Sequence, residues 1–266
     1  MTGDIHVHSY FSTDSEARME DTIEKALEEG LSYLCFTDHI DYDYPVEGLT
    51  FDFDPAEYFR KIGEMKERYG SRIKILAGVE LGMQEHLSKR YSELLRSWPF
   101  DFAIGSQHLV GGMDPYYPET FEGRNENDIY RLYFENMLTD IRVFRDFDAL
   151  GHLDYIVRYG SRKGRNYSYR QYADVIDEIL KILVRDNHAI EINTAGIRKQ
   201  LGFPNPHPEV LKRYRELGGT LVTIGSDAHK PYAVGFAFGT ACEILKNCGF
   251  THTVYYEKRK PRFVLL

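Results

Sequence analysis

Residues 4–37 have the sequence DIHVHSYFSTDSEARMEDTIEKALEEGLSYLCFT, in which two short apolar runs, DIHV and LSYLCFT, flank a longer polar segment. Inside that segment apolar side chains recur at helical spacing from Met19 to Leu27, and Gly30 follows in a position typical of a helix end. This stretch therefore predicts a strand, a helix and a second strand, which is the repeating unit of a parallel α/β fold.

The same alternation continues along the chain, where seven short β-type runs are separated by segments with a helical pattern. The runs are residues 4–7, 31–37, 73–80, 102–106, 149–151, 189–193 and 220–225. Apolar runs joined by helices are typical of parallel strands with helices packed outside them. Because such barrels commonly have about 250 residues, we expect all 266 residues to form a single α/β domain, a closed or nearly closed barrel. An open doubly wound sheet is the alternative, but no glycine-rich turn follows the first run.

Capping signals mark three further helices. Asp54 precedes a proline, Ser168 and Gln171 form a capping-box pattern, and a helix from about Pro208 ends at the glycines 218–219. The two last runs, residues 251–256 and 262–265, fit either a terminal hairpin or an eighth strand.

The composition is that of an ordinary globular protein, with 42% hydrophobic and 28% charged residues. A formal net charge of -8 gives no reason to expect nucleic acid or an anionic membrane as a partner. The start of the chain has no basic-then-apolar leader, and three cysteines at unrelated spacings indicate no disulfide framework. We therefore expect a soluble cytoplasmic protein, and the sequence does not indicate its oligomeric state.

Histidines and carboxylates gather at the C-terminal ends of the predicted strands. In chain order they are His6, His8, His39, Glu80, His108, His152, Asp227 and His229. Parallel barrels have their active sites at this end, and residues two apart on a strand project from the same face. Crowded imidazoles and carboxylates are costly to bury unless a cation holds them. The pattern therefore predicts a metal site.

The number of donors indicates more than one ion. With Asp14 included there are nine candidate ligands, whereas a tetrahedral ion uses four. Two or three divalent ions would use them, with Glu80 as a bridge. Imidazole and carboxylate together favour zinc, manganese or iron over magnesium or calcium.

Six motifs in this order resemble those of the polymerase and histidinol phosphatase (PHP) superfamily. They are DIHVHS (residues 4–9), TDH (37–39), GVE (78–80), SQH (106–108), GHLD (151–154) and GSDAH (225–229). The resemblance covers residue 4 to about residue 240. It implies a distorted (β/α)7 TIM-like barrel and a metal-dependent phosphoesterase with a trinuclear centre.

The resemblance also implies how the donors are grouped. The three groups are His6, His8, Glu80 and Asp227; Glu80, His108 and His152; and Asp14, His39 and His229. Some members of the superfamily have histidine where this chain has Asp14, so Asp14 could instead transfer a proton.

Two segments are similar to the histidinol-phosphate phosphatase branch of the superfamily. They are GHLDYIVRY (residues 151–159) and INTAGIRK (192–199). This similarity implies hydrolysis of L-histidinol phosphate to L-histidinol and phosphate, in histidine biosynthesis, by attack of a metal-bridging hydroxide. The alternative is a phosphatase of the same superfamily with another substrate, a phosphotyrosine protein or a nucleotide. A metal-binding domain without catalysis is a third reading, but the complete donor set argues against it.

Arginines near the same mouth are candidates for phosphate binding, because a guanidinium matches the geometry of phosphate oxygens. Arg158 follows the fifth run, Arg198 follows the sixth, and Arg162 lies in the same loop as Arg158. An acidic protein that handles phosphate needs such local neutralisation.

The leaving alkoxide needs a proton, which Asp14, His39 or Asp154 could supply. Asp154 could instead orient His152 from behind. Aromatic side chains in the long loops are candidates for a wall around an imidazole ring; they are Tyr42, Tyr44, Tyr116 and Tyr117.

Overall fold

Eight parallel strand segments form a barrel in the computed structural model of the chain, which describes residues 2–165 and 167–266. They are β1 (Gly3–Val7), β2 (Tyr33–Phe36), β3 (His39–Ile40), β4 (Lys74–Gly82), β5 (Phe102–Ser106), β6 (Ala149–Leu150), β7 (Ala189–Asn193) and β8 (Val222–Gly225). The order around the barrel is β1-β2-β4-β5-β6-β7-β8. Both β2 and β3 pair with β4 in one continuous register, so they share one of seven positions. The expected distorted (β/α)7 barrel is confirmed.

The barrel closes where the chain leaves β8 and meets the end of β1. His8 N donates to Ala228 O at 2.9 Å, and Asp227 N donates to His6 O at 2.8 Å. Val7 and Ala228 form a parallel bridge between the two bonds. The alternative of an open doubly wound sheet is therefore wrong, and the closing contact lies directly among the predicted metal donors.

Helices cover the outside of the barrel. They are α1 (Met19–Glu28), α2 (Pro55–Tyr69), α3 (Ser88–Ser97), α4 (Glu126–Val143), α5 (Ala173–Asp186), α6 (Ala195–Arg198), α7 (Pro208–Glu216) and α8 (Phe238–Asn247). The Asp54 side chain accepts from Ala56 N at 2.9 Å, and Ser168 and Gln171 form the predicted capping box before α5. Within the described part of the chain, no helix is both long and apolar enough to cross a membrane.

Apolar side chains form two separate cores. The larger core lies between the strands and the surrounding helices. The smaller one fills the barrel interior and includes Ile5, Cys35, Leu76, Phe102, Ile104, Val254 and Tyr256. The last two come from outside the barrel strands, so another element must enter the barrel.

That element is an antiparallel hairpin of β9 (His252–Glu257) and β10 (Lys260–Leu265). The ring of Tyr256 stacks on Phe102 with centroids 5.1 Å apart. Arg259 N donates to Asp101 O at 2.9 Å, at the N-terminal ends of the strands. The last residues are therefore a hairpin that plugs the bottom of the barrel, and not an eighth barrel strand.

Replacing the plug's main aromatic should destabilise the fold without touching the opposite mouth. Tyr256 is 3% exposed, and we expect Tyr256→Ala to lower the free energy of unfolding by about 3 kcal/mol. Phe263, in the same hairpin but 61% exposed, is the matched control, and Phe263→Ala should change it by less than about 0.5 kcal/mol. Denaturant unfolding measures the free energy of unfolding of both variants. Equal losses in the two would show that the hairpin does not plug the barrel.

Candidate metal centre

A cavity of about 490 Å³ opens at the C-terminal ends of the strands, opposite the hairpin. Predicted metal donors that line it are Asp14, His39, Glu80, His108, His152, Asp227 and His229. The other two, His6 and His8, are fully buried and contact Glu80. The structure therefore brings all nine predicted donors into one place.

Glu80, at the C-terminal half of β4, lies in the middle of the donors. Its Oε2 is 3.0 Å from His6 Nε2 and 3.3 Å from His8 Nε2. Its Oε1 is 3.2 Å from His108 Nε2 and 2.9 Å from His152 Nε2. Oε2 also lies 3.3 Å from His39 Nδ1. Each carboxylate oxygen thus faces its own set of imidazoles, which is the geometry that a bridging carboxylate requires.

Asp14 and Asp227 complete the donor set on the open side. Asp14 Oδ2 is 3.0 Å from His229 Nε2, and Asp14 Oδ1 is 3.9 Å from His39 Nε2. Asp227 Oδ1 is 3.6 Å from His8 Nε2. Within the described residues, four groups have ligand atoms that all lie within 4.8 Å of one another: His8, His39 and His229; His6, His8 and Glu80; His39, Asp41 and His108; and Glu80, His108 and His152.

Hydrogen bonds at Nδ1 fix the direction of several imidazoles. The pairs are His6 Nδ1 with Glu191 Oε1 at 2.7 Å, His8 Nδ1 with Ser12 Oγ at 3.0 Å, and His108 Nδ1 with Asp41 Oδ2 at 2.5 Å. A partner at Nδ1 leaves Nε2 free to bind a metal and raises its basicity. The Nε2 atoms of all three imidazoles point towards Glu80.

Unpartnered buried atoms show that the donor set fits a cation. Among the described residues, His8 Nε2, His39 Nδ1 and Asp41 Oδ1 are buried without a hydrogen-bond partner. Such groups are costly to bury, because they lose water and gain nothing in return. Metal ions at this position would satisfy them, so the residues present fit a metal cluster.

The carboxylates at the centre are held in the charged form that a metal requires. Burial opposes ionisation of Glu80, but His6, His39 and His108 outweigh it and hold the pKa of Glu80 well below its ordinary value. Burial likewise opposes ionisation of Asp227, and the neighbouring Arg158 guanidinium is the largest of the effects that hold its pKa well below the ordinary value.

Two buried acids in this site, Asp41 and Glu191, were missed from the sequence. Asp41 lines the cavity two residues after His39, the same spacing as Asp227 and His229, and that spacing could have identified it. Glu191 is a charged residue inside the apolar strand β7, and it bonds His6 across the barrel. A charge in such a strand is the only signal that the sequence offers for it.

The three predicted arginines have different surroundings. Arg158 is buried and donates to Asp227 Oδ2 at 2.9 Å, and Arg198 donates to the carbonyls of Ser226 and Asp227 at 2.9 and 2.8 Å. Both line the cavity. Arg162 is exposed and lines a neighbouring groove instead, so the structure does not bring it to the donors.

The structure does not bring Asp154 to the cavity either. Its oxygens accept from Asn205 Nδ2 at 2.6 Å and from His207 N at 2.8 Å, and the residue is fully buried. The i, i+2 rule fails here because β6 ends at Leu150 and Asp154 has the non-extended angles φ -104° and ψ 34°. Asp154 therefore contacts neither the reacting groups nor the ring of His152.

Aromatic side chains form the outer wall of the cavity, and they include Tyr44, Tyr116, Tyr117, Tyr155 and Tyr159. Tyr42 is not among them. The guanidinium of Arg90 lies 3.3 Å from its ring centroid, and its ring stacks on Tyr91, so Tyr42 packs on α3.

A barrel mouth lined by imidazoles around a shared carboxylate defines a metal-dependent hydrolase. Residues 4–195 match the model of the PHP domain family, and the chain belongs to this family. A probable histidinol-phosphatase of Clostridium acetobutylicum is 36% identical over 99% of this chain and 100% of its own length. The histidinol-phosphatase of Lactococcus lactis is 30% identical over 93% of this chain and 91% of its own length.

A solved structure is also similar over almost the whole chain. It is the crystal structure of histidinol phosphate phosphatase from Lactococcus lactis subsp. lactis Il1403, complexed with zinc, L-histidinol and phosphate. The TM-score is 0.91 and the identity 29%, and the match covers 98% of each chain.

Asp41 offers a test of the donor cluster. We expect Asp41→Ala to weaken metal binding or turnover by about 10–100-fold, because His108 loses its Nδ1 partner. Asp43 is the matched control, since it lies two residues further on and contacts only surface groups such as His86; Asp43→Ala should leave both unchanged. Metal content after dialysis and kcat are measured for both variants. An Asp41→Ala variant with wild-type metal content and wild-type kcat would contradict the role of Asp41 in the donor cluster.

Proposed function

We propose that this protein hydrolyses L-histidinol phosphate to L-histidinol and phosphate as a metal-dependent phosphomonoesterase of histidine biosynthesis. One observation carries the proposal: the Lactococcus lactis enzyme solved with zinc, L-histidinol and phosphate matches 98% of this chain. The cavity of this chain supplies donors for the metal and space for a small substrate. Its three cysteines are unpaired, which supports a reducing compartment, the cytoplasm, as its location.

The proposed metal ligands are the nine predicted donors. The groups are His6, His8, Glu80 and Asp227; Glu80, His108 and His152; and Asp14, His39 and His229. The first two groups are supported by the contacts of Glu80 Oε2 and Oε1, and the third by the contacts of Asp14. Zinc, manganese and iron all suit this mixture of imidazole and carboxylate.

The substrate phosphate would lie between the donors and the arginines. When bound, the metal ions supply an activated water and positive charge beside the phosphoryl oxygens. Arg198 uses two N–H groups on the carbonyls of Ser226 and Asp227, which fixes its guanidinium at the cavity wall. Its other N–H groups can then bind an outer phosphate oxygen in a set direction.

The leaving group would lie against the outer wall. Asp14 and His39 both reach the cavity, and we propose one of them as the proton donor to the leaving alkoxide. Asp114 lines the same wall, where its carboxylate accepts from Tyr44 Oη at 2.5 Å and Tyr116 N at 2.7 Å. A carboxylate with aromatic neighbours suits the ammonium and imidazole of histidinol.

Arg198 provides a test of phosphate binding. We expect Arg198→Ala to lower kcat/KM for the phosphate ester by about 100-fold, because a fixed donor to the phosphoryl group is lost. Arg170, exposed beyond the cavity, is the control, and Arg170→Ala should leave the kinetics unchanged. Steady-state kinetics are measured for both variants. A wild-type kcat/KM for Arg198→Ala would exclude a role for Arg198 in phosphate binding.

The substrate is tested by comparing L-histidinol phosphate with a phosphotyrosine peptide and p-nitrophenyl phosphate on one sample of measured metal content. We expect kcat/KM to be at least about 100-fold higher for L-histidinol phosphate, because the other two esters leave polar groups of the pocket without hydrogen-bond partners. Chelation should abolish all activity, and added zinc, manganese or iron should restore it. Similar rates on the three esters would keep the metallophosphatase class and overturn the substrate.

A further inference from the structure

Arg158 is the centre of a buried hydrogen-bond network behind the metal donors. Its Nε donates to Asn205 Oδ1 at 2.8 Å, its Nη1 to Asp227 Oδ2 at 2.9 Å and its Nη2 to Asn193 Oδ1 at 2.9 Å. Its side chain is 2% exposed. Each nitrogen of the guanidinium thus has its own oxygen acceptor, so the fork is locked in one orientation.

Asn205 is itself fixed on both sides. Its Nδ2 donates to Asp154 Oδ1 at 2.6 Å, and its backbone N and O pair with the O and N of Asn193 at 2.9 and 2.7 Å. The other oxygen of Asp154 accepts from His207 N at 2.8 Å. Asp154 therefore determines which end of the Asn205 amide faces Arg158, because only the NH₂ group can bond the carboxylate.

The same network reaches a second proposed metal ligand. Asn193 Nδ2 donates to Glu191 Oε2 at 3.1 Å, and Glu191 Oε1 bonds His6 Nδ1 at 2.7 Å. Asp227 Oδ1, the oxygen not used by Arg158, is 3.6 Å from His8 Nε2 and 3.9 Å from His6 Nε2. The network therefore touches the group of His6, His8, Glu80 and Asp227 at two of its members.

We propose that Asn205 and Asp154 are positioning residues that set the metal affinity of this one group, by holding Arg158 so that Asp227 presents Oδ1 to the ion. Neither residue touches substrate or metal donor directly. The inference rests on the metal roles proposed above for Asp227 and His6. It gives Asp154 a function at a distance from the cavity that its motif position did not suggest.

A swap of the two side chains tests the inference, because it restores the hydrogen bonds that each single change breaks. Asn205→Asp places two carboxylates opposite each other. Asp154→Asn leaves one amide oxygen for two donors, Asn205 Nδ2 and His207 N, so one of these donors faces an NH₂ group. In the double variant, the amide at position 154 donates to the carboxylate at 205, which still accepts from Arg158. Metal affinity is measured by calorimetric titration of the metal-free protein with Zn²⁺, and metal content after dialysis.

We expect each single variant to bind one of its ions about 10–100-fold more weakly than the wild type, and the double variant to recover most of that affinity. The remaining ions should bind as in the wild type. Asp148 is the matched control for the loss of a buried polar contact, since its carboxylate forms an ion pair with Arg259 at the hairpin end of the barrel. Asp148→Ala should lower the melting temperature and leave every metal affinity unchanged.

Single variants that melt earlier but keep all ions at wild-type affinity would overturn the inference, as would a double variant that fails to recover. If the single variants do not fold, the double variant alone decides: wild-type affinity supports the network, and a lost ion refutes it. The titration uses no substrate. Failure to hydrolyse L-histidinol phosphate would therefore remove the proposed substrate and leave this result standing.

Discussion

The structure depends on one constraint, which is that the buried carboxylate of Glu80 must be neutralised inside the protein. Five imidazoles lie within 3.3 Å of its two oxygens, and they come from the ends of β1, β3, β5 and β6. Three of these rings, those of His6, His8 and His108, have a hydrogen-bond partner on their far nitrogen, which fixes their orientation. The barrel supplies the rigid frame that this crowding needs.

The two ends of the barrel have different roles. At the bottom, Phe102 and Tyr256 give the molecule an apolar interior sealed by the hairpin. At the top, the interior is filled by charged and polar side chains that bond one another. The hairpin end thus adds apolar packing, and the chemistry lies at the other end, as in other parallel barrels. The Arg158 network links the strand ends at the top into one unit.

The sequence predicted the barrel and the gathering of histidines and carboxylates at its mouth, because both follow from local rules. The strands are recognisable as runs of apolar residues. The shared direction of His6 and His8 follows from the two-residue repeat of a strand. The same rule failed at Asp154, where the chain had already left the extended conformation. Glu191 was missed because its partner His6 lies 185 positions away, and no local pattern records such a pairing. The apolar pattern of the last residues could not distinguish a hairpin from a barrel strand, since it does not encode strand direction.

The closure between β1 and β8 also determines when the site can exist. Asp4 Oδ1 accepts from Ser226 N, 222 positions along the chain, and Asp227 N bonds His6 O beside it. The proposed metal ligands on the first strand meet those that follow the last strand at this junction. During synthesis on the ribosome, the groups that include Asp227 and His229 are therefore completed only after residue 229 has emerged, which makes their assembly one of the last steps of folding.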